Sequence, residues 1–547
     1  MNIMKTNKKL LLLALGAFTF NFYSCTELDT QPESGIFTSE QKQDIVESIP
    51  DRIAADIAGM YSILGKQYAV YGSDAGRHDD FGYPSMCISW EANGPDFITD
   101  ESNYNWYSTC SAYEDRTYTY ANPNMRWSLF YKQMKLANDV LASIPVDTEN
   151  QTLKYYMGQA YAIRAFDYLN LVPYFQFKYK GNEDQPSVPI VTWDMTGDVS
   201  SNPRAPQTEV YELIISDLTK AIELLDGYTR TSKGQIDQQV AYGLRARANL
   251  YMENWAQAAS DADMAMVGYT PYSRDDVSKP TFITATDPNW IWAIMIDPSN
   301  VPDNLPTWPS KLGSFTGYGY TTAVQCYKTI NNLLWNLIPT TDVRKGWWVD
   351  ENLESPNLAT VTWGDFTGNE IPTSGVDGIA TWLPYTQLKF GQYGGPGSTI
   401  NAGDWCLMRA EEMILIKAEA TGKSNEAQGK TILQEFVSNY RDPSYDVNAS
   451  TRAFQDEVWF HRRIELWGEG FAMSDIMRLG KNVVRFSPSK PSSVPLIYMF
   501  NLTSNDGWLL NRIPQAEVNT NAGIIQNDGG TLPVPEQNPD LKDGVTD

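Results

Sequence analysis

The chain has 547 residues, 12% of them aromatic, and carries 42 Lys and Arg against 66 Asp and Glu, a formal net charge of −24. So acidic a surface argues against nucleic acid, whose phosphates require basic patches, and against charge-driven binding to anionic lipid headgroups. The two histidines, His78 and His461, leave little material for histidine-based nucleophilic or metal sites.

The first residues have the pattern of an export signal. Three lysines precede a largely apolar run at residues 10–22, shorter than the roughly 20 residues that a transmembrane helix needs. The run leads into Ser24-Cys25, and a small residue before a cysteine is typical of bacterial lipoprotein signals. An ordinary secretory signal with an incidental cysteine is the alternative. We predict a lipoprotein signal peptide over residues 1–24, acylation of Cys25 and, after cleavage, a net charge of −27, because the signal contains three lysines and no acid.

The segment after the signal is predicted to be mostly irregular. Residues 25–50 are polar and turn-rich, which predicts a tether from the anchor to the body. Apolar residues recur on one face from Ile53 to Leu64 and predict a first helix. Residues 65–124 show little helical periodicity and many Gly, Pro, Asp, Tyr and Trp residues, so we predict a long loop region that is functional or disordered.

Periodic apolar residues then predict two helical pairs. The first pair covers Trp127 to Ile144 and Leu153 to Val172, and the second covers Glu209 to Leu225 and Val240 to Met266. Alanines in the last segment would let antiparallel helices approach closely, in a degenerate form of the tetratricopeptide pattern. These pairs form a predicted N-terminal helical region, residues 51–266.

Helical signals fade from residue 268 to residue 404, where glycine and proline are dense. Nine of the 17 tryptophans lie there or at residue 405, and we interpret the stretch as loops with surface aromatics on a helical scaffold. A short strand is predicted at Trp290 to Ile296, and helices resume at Met408 and at Glu426 to Tyr440. Residues 267–547 are therefore assigned to a C-terminal region with a loop-rich insertion.

The stretch from Phe454 to Lys481 mixes large aromatics with charges at helical spacing. The charged residues of interest are Arg462, Arg463, Glu465, Glu469, Asp475 and Arg478. Unpaired buried charges are costly, so we predict ions paired with each other or with neighbouring helices; a solvated amphipathic face is the alternative. Trp459 and Trp467 are predicted to lie in the core, and His461 to be a packing residue.

Motifs in four parts of the chain occur in an order that resembles the SusD/RagB family of outer-membrane lipoproteins of Bacteroidota. In residues 462–481, Arg-Arg-Ile-Glu-Leu, Glu-Gly, Asp-Ile-Met-Arg and Gly-Lys resemble the family's Arg-Arg-x-Glu-Leu…Glu-Gly…Asp-Leu-x-Arg-x-Gly signature, with Ile476 as a departure. The other resembling segments are Arg409 to Ala420, Ala137-Asn138, Arg164-Ala165, Arg512 to Glu517 and Asn527.

The resemblance implies a mainly α fold, in which tetratricopeptide-like helical pairs pack against an irregular, loop-rich C-terminal half. It implies a lipid-anchored protein at the outer-membrane surface, facing the cell exterior, that partners a SusC-like TonB-dependent transporter and captures a glycan or, in some members, a peptide. Glu27 and Asp29 fit the acidic export tag of this group. No cofactor is implied.

A glycan site needs aromatic faces for sugar rings and polar groups for the hydroxyls. Two loop regions offer both, and the resemblance favours a surface shared between them. The candidate residues are Trp90, Asn93, Asp96, Trp106, Tyr107, Trp308, Tyr318 and Tyr320. Flanking glycines favour accessible rings at Tyr318 and Tyr320, whereas the alternative for any single aromatic is a packing role.

Two other function classes compete with glycan binding. A hydrolase needs two carboxylates about 5–10 Å apart, but 66 acids offer countless pairs, and no phosphate loop, metal cluster or nucleophile elbow is present. A protein-binding helical scaffold without a glycan site is the other class. We predict a binding protein without catalysis. The identity of the glycan, calcium binding and a disulfide between Cys87 and Cys110 stay open.

Overall fold

The computed structural model describes residues 39–195, 199–359, 361–363, 378–527, 529–530 and 535–547. The predicted signal peptide, Cys25 and the acidic residues Glu27 and Asp29 lie outside this range. The helices are α1 (Ser39–Ser48), α2 (Ala54–Ser62), α3 (Tyr83–Asn93), α4 (Ser108–Ser111), α5 (Ala121–Ser143), α6 (Gln151–Phe175), α7 (Gln207–Leu224), α8 (Gln238–Tyr251), α9 (Trp255–Ala265), α10 (Arg274–Val277), α11 (Trp308–Lys311), α12 (Tyr320–Ala323), α13 (Asn332–Trp335), α14 (Ala410–Ser424), α15 (Glu426–Tyr440), α16 (Phe454–Glu465), α17 (Ala472–Leu479) and α18 (Gln515–Thr520). The strands are β1 (Phe97–Ile98), β2 (Trp290–Ile294), β3 (Thr329–Ile330) and β4 (Trp405–Arg409).

Consecutive long helices pack side by side, from α5 on α6 through α7, α8 and α9. The predicted helical pairs are confirmed, except that Val240 to Met266 divides into α8 and α9. The chain reverses between these two helices at Glu253, which adopts a left-handed φ of 62°. Side-chain caps fix two of the helix starts, because Asn150 accepts from the N–H of Thr152 at 3.0 Å and Asp237 accepts from that of Val240 at 3.0 Å.

Small residues let these helices approach closely. Four alanines between α8 and α9 are fully buried, as the predicted close approach of these helices requires: Ala246, Ala258, Ala262 and Ala265. A Cβ added at Gly158 of α6 would lie 2.8 Å from the Cγ of Leu225, so this position needs glycine for the backbones to meet. Helix α9 also packs on α14, and α14 packs on α15 and α16, so one helical layer continues into the C-terminal half. The mainly α fold with an irregular C-terminal half is as predicted.

Tryptophans of the irregular region fill the core. The buried ones are Trp290, Trp292, Trp308, Trp347, Trp348, Trp363, Trp382 and Trp405. The predicted strand is observed as β2, which pairs antiparallel with β4, while β1 pairs antiparallel with β3. The interpretation of these tryptophans as surface aromatics is wrong, because an interior with so few long helices needs large side chains to close it.

Helix α3 lies inside the segment predicted to be a long loop, and the prediction is wrong there. Every residue of α3 except Tyr83 is buried, so the helix has no polar face and shows no amphipathic period in the sequence. Glu91 on α3 accepts hydrogen bonds from the backbone N–H groups of Gly470, Phe471 and Ala472, at 2.8, 2.9 and 3.3 Å. It thereby caps the start of α17, and burial raises its pKa to about 7 although these donors lower it.

The stretch 454–481 is not one helix. Helix α16 ends at Glu465, and Gly468 and Gly470 then adopt φ values of 80° and 94° before α17 begins. A side chain at Gly470 would also meet the Sγ of Cys87 at 2.7 Å. Trp459 and Trp467 are buried, as predicted.

The charges of this stretch are buried and paired, as predicted, and the solvated-face alternative is wrong. Arg462 binds Asp475 at 2.7 Å within the stretch, whereas Arg463 binds Asp96 at 2.7 Å and Asp543 at 2.7 Å elsewhere in the chain. His461 is buried and contacts Arg344, a packing role as predicted.

Glu465 is the centre of a buried ion cluster. The cluster comprises Asp342, Arg344, Lys389, Arg409, Glu411, Arg441, Glu465 and Glu469. Glu465 accepts from Arg409 and Arg441 at 2.8 Å on Oε1, and from Arg441 at 2.8 Å and Arg344 at 3.1 Å on Oε2. Burial alone would raise the pKa of Glu465, yet Arg441 and Arg409 hold it well below its usual value.

The disulfide question left open by the sequence is answered by the positions of the two cysteines. Cys87 and Cys110 are both buried and free, so the structure contains no disulfide between them. Among the described residues, no helix is long and apolar enough to cross a membrane.

Candidate ligand-binding surface

Five of the eight predicted site residues lie in the core. They are Trp90, Asn93, Asp96, Tyr107 and Trp308. Their polar atoms bind other protein groups: the indole of Trp90 donates to Ser474 at 3.1 Å, and that of Trp308 donates to the carbonyl of Gly403 at 2.8 Å. Asp96 pairs with Arg463. The structure therefore gives these five packing roles. Trp90 and Asn93 are turned inward by α3, and Asp96, Tyr107 and Trp308 are buried by the segments that pack around them.

The other three candidates remain accessible. Tyr318 is 49% exposed, and Trp106 and Tyr320 are half-buried. Trp106 and Tyr320 come from the two different predicted regions, yet their ring centroids are 6.4 Å apart at an interplanar angle of 77°. The fold thus brings the two predicted loop regions to one surface.

Four half-buried rings form this surface, which we call the aromatic platform: Tyr68, His78, Trp106 and Tyr320. His78 stacks on Trp106 with centroids 5.6 Å apart and meets Tyr68 edge-on at 6.4 Å. Its Nδ1 lies 2.7 Å from the hydroxyl of Tyr320. Burial and the charge of Lys311 lower the pKa of His78, which favours a neutral imidazole at neutral pH.

Backbone strain marks two residues of the platform. Tyr68 and Trp106 have φ values of 56° and 67°, in the left-handed region that bulky side chains avoid. Such conformations cost on the order of 1–3 kcal/mol each and cluster at binding and active sites. They orient the two rings so that both reach His78.

Polar groups lie at the edge of the platform. The hydroxyl of Tyr68 donates to Asp303 at 2.6 Å. Arg77 pairs with Asp79 at 2.6 Å, and its guanidinium lies 5.9 Å from the ring centroid of Trp106. The surface therefore combines ring faces with a carboxylate and a guanidinium, groups that bind hydroxyls.

Lys311 lies beneath the platform. Its Nζ is 3.3 Å from the ring centroid of Tyr320 and 5.0 Å from that of Trp106, and among the described residues it has no hydrogen-bond partner. Burial, with the charge of Lys328 as a further cause, lowers the pKa of Lys311 well below 10.5. A buried lysine amine whose neighbours are ring faces, with no hydrogen-bond partner among the described residues, is a destabilising feature beneath this surface.

Replacing Lys311 by methionine is expected to raise the free energy of unfolding by about 1–3 kcal/mol, because a buried polar group without a hydrogen bond is lost while contact with the rings is kept. The destabilisation by Lys311 is largest below the pKa of this lysine in the folded protein, because there the buried amine carries a proton that the unfolded chain would solvate better. It disappears as the pH rises toward the unfolded value of 10.5. Thermal unfolding between pH 6 and pH 10 should therefore show the variant's advantage shrinking as the pH rises.

Lys328→Met is the matched control. Lys328 is equally buried but donates to the carbonyl of Cys326 at 2.6 Å, so its removal should gain less stability. A Lys311→Met variant that is less stable than the wild type at pH 7 would contradict this account.

Tyr68, Arg77, His78 and Lys311 were not among the predicted site residues. Three of them lie in the Gly-, Tyr- and Asp-rich stretch 65–82, whose lack of periodicity was a signal that could have pointed to them.

The glycines beside Tyr318 and Tyr320 serve the backbone rather than ring access. A Cβ at Gly317 would lie 2.1 Å from the carbonyl oxygen of Gly397, and one at Gly319 would lie 2.8 Å from the Cα of Ser310. The turn packs so closely against neighbouring segments that only glycine fits there.

No group of three or more His, Cys, Asp or Glu side chains that could hold a metal ion occurs in the part of the chain that the structure describes.

The structure is thus a helical scaffold that carries a partly exposed cluster of aromatic rings. Two family models match the chain: one for starch-binding proteins associating with the outer membrane over residues 86–250, and the SusD family model over residues 369–529. The chain belongs to the SusD family.

Individual relatives agree with this assignment. The SusD-like protein P2 of Formosa agariphila is 24% identical over 433 residues, which cover 74% of this chain and 80% of that protein. The structure of a SusD-like carbohydrate binding protein from Bacteroides vulgatus is similar with a TM-score of 0.69 at 22% identity, covering 88% of this chain and 98% of the other. A laminarin binding SusD-like protein is similar with a TM-score of 0.58 at 16% identity, covering 88% and 99%. These structural likenesses show a shared fold.

Proposed function

We propose that this protein is a cell-surface glycan-binding lipoprotein that captures an oligo- or polysaccharide and delivers it to a SusC-like TonB-dependent transporter. The observation that carries the proposal is the aromatic platform. Sugar rings present C–H faces that lie flat on Trp and Tyr, and their hydroxyls need polar partners such as Asp303 and Arg77 at the platform edge. Membership of the SusD family and a structural neighbour named for laminarin binding support it.

The proposed attachment to the outer membrane depends on the N-terminal segment of the chain. Cleavage before Cys25 and its acylation would anchor the protein, which continues into the N-terminal helical region at 51–266 and the C-terminal region at 267–547. The tether predicted at residues 25–50 is too long, because Ser39–Ser48 form α1, whose Val46 is buried in the core and whose Gln43 donates to the carbonyl of Ala142. A Cys25→Ala variant should leave the outer-membrane fraction, as measured by fractionation and surface protease accessibility. Retention of this variant at the surface would contradict lipid anchoring.

Binding without catalysis is the mode that the platform favours. Its nearest carboxylates already have partners, since Asp303 accepts from Tyr68 and Asp79 pairs with Arg77. A pair of free carboxylates on either side of a ring-binding surface, as glycoside hydrolysis requires, is not what these residues provide. Release of reducing sugar from any bound polysaccharide would overturn this part of the proposal.

Calorimetry of the mature chain with laminari-, malto-, cello-, xylo- and manno-oligosaccharides tests the proposal. We expect saturable binding of at least one series, with a change in tryptophan fluorescence because Trp106 lies on the platform. Tight association with a SusC-like transporter but no response to any glycan would favour the alternative of a transporter-associated scaffold or a peptide binder.

A further inference from the structure

A groove of about 1120 Å³ opens beside the aromatic platform. We call it the α2 groove, because one wall is formed by α2, with the buried Ile57, the exposed Ala58 and the half-buried Tyr61. The opposite wall is formed by the end of β2 and the loop after it, with Met295 and Asn300. Its volume slightly exceeds the range typical of small-molecule pockets, about 300–1000 Å³. The groove is therefore large enough for a ligand of several rings.

The groove is continuous with the platform. Tyr68 belongs to both: it lines the groove, and its ring meets His78 of the platform edge-on at 6.4 Å. Asp303 also lines the groove and accepts the hydroxyl of Tyr68 at 2.6 Å. A chain-like ligand that lies on the platform can thus continue past Tyr68 into the groove without leaving the protein surface.

The lining is suited to uncharged, hydroxyl-rich rings. Three tyrosines, Tyr61, Tyr68 and Tyr156, supply aromatic surface. Hydroxyl and amide groups come from Ser62, Gln67, Ser73, Ser232, Gln235, Ser299 and Asn300. Among the described residues that line the groove, only Lys66 and Asp303 carry charge, one of each sign. A polyanionic glycan would find Lys66 as its one countercharge in this lining and would be repelled by the strongly acidic protein.

We infer that the α2 groove is a second subsite, which holds further units of the same ligand, and that the ligand class is a neutral oligosaccharide longer than the platform alone accommodates. This inference rests on the proposed function, because it assigns the length and charge of the glycan that the platform binds.

Filling the groove tests the inference. Ala58 is exposed on α2 and lines the groove, so tryptophan at this position would occupy it without disturbing the core. Ala55 is exposed on the same helix and is not part of the lining, so Ala55→Trp is the matched control. Calorimetry on the mature protein measures the affinity for laminari-oligosaccharides of two to about seven units. The malto-, cello-, xylo- and manno-series are measured in the same way.

For a series that binds, we expect wild-type affinity to rise with chain length by at least about tenfold, the scale of one strong contact. Ala58→Trp should reduce the ratio of long-chain to disaccharide affinity to about one, whereas Ala55→Trp should keep the wild-type ratio. Thermal unfolding of both variants verifies that they fold.

Several outcomes would overturn the inference. The groove would not be a subsite if the wild-type affinity were independent of chain length, or if Ala58→Trp left a length dependence intact. Either result would leave the proposed function unaffected. Tighter binding of oligogalacturonides than of every neutral series would refute the neutral class. Absence of binding by all series, neutral and acidic, would reject the proposed function and the subsite with it.

Discussion

Replacing Glu465 by alanine is expected to lower the free energy of unfolding by about 3–5 kcal/mol, because removing one partner from a buried ion pair leaves uncompensated charge in the interior. Here the loss falls on Arg344, Arg409 and Arg441, which share the two oxygens of Glu465 within 3.1 Å. Chemical denaturation of the purified variant measures the change. A variant too unstable to purify would be compared through its soluble yield and protease sensitivity.

The control is an ion pair of the same chemistry on the surface. Glu426 on α15 pairs with Lys430 at 2.8 Å, with side chains 61% and 32% exposed. Glu426→Ala should cost less than about 1 kcal/mol, because exposed pairs contribute little. Equal effects of the two substitutions would show that the buried cluster has no special structural role.

Glu465→Gln separates charge from packing. Glutamine keeps the volume and one acceptor oxygen but removes the negative charge that three guanidinium groups share. We expect this variant to be destabilised nearly as much as Glu465→Ala. A nearly wild-type stability would mean that shape, rather than charge, is what the site requires.

Replacing Trp106 by alanine is expected to weaken binding of the glycan by about 30-fold or more, equivalent to about 2 kcal/mol, because truncation of a central aromatic contact has effects of this size. Trp106 is the ring that contacts both His78 and Tyr320, at 5.6 and 6.4 Å, so its loss opens the middle of the platform. Calorimetric titration with the bound oligosaccharide series measures the effect.

Tyr104→Ala is the control for this variant. Tyr104 is two residues away and 63% exposed, but it is not part of the platform. Its truncation should leave affinity unchanged within about twofold. If Tyr104→Ala and Trp106→Ala weakened binding equally, or if neither did, the platform would not be the glycan site.

The helical scaffold was predictable because its signals are local. Apolar residues at helical spacing and small residues indicate α5 to α9, and most of their ends were predicted to within about three residues. The exceptions are the start of α5, at Ala121 rather than Trp127, and the break between α8 and α9, which the sequence did not reveal. The lack of such a local signal explains why α3 was predicted as a loop. A helix buried on all sides carries no period, so Tyr83 to Asn93 resembled a loop.

The candidate site was predictable only in part. The sequence identified Trp106 and Tyr320 as loop aromatics, and the fold brings them together. It could not distinguish them from Trp90 or Trp308, because burial is decided by partners distant in sequence, such as Ser474 and Gly403. Lys311 was undetectable for the same reason.

The position of α3 also has a consequence for the order in which the chain folds. Glu91 binds the amide of Gly470, which follows it by 379 residues. At a synthesis rate of about 5–20 residues per second, that amide exists only on the order of half a minute after Glu91 does. Until then the part of α3 that meets α17 has no partner, although Met125, Leu129 and Tyr174 can already pack on Met86 and Trp90. Long-range closure of this kind makes folding slow. A chaperone that holds the unfinished chain would be most needed during this interval.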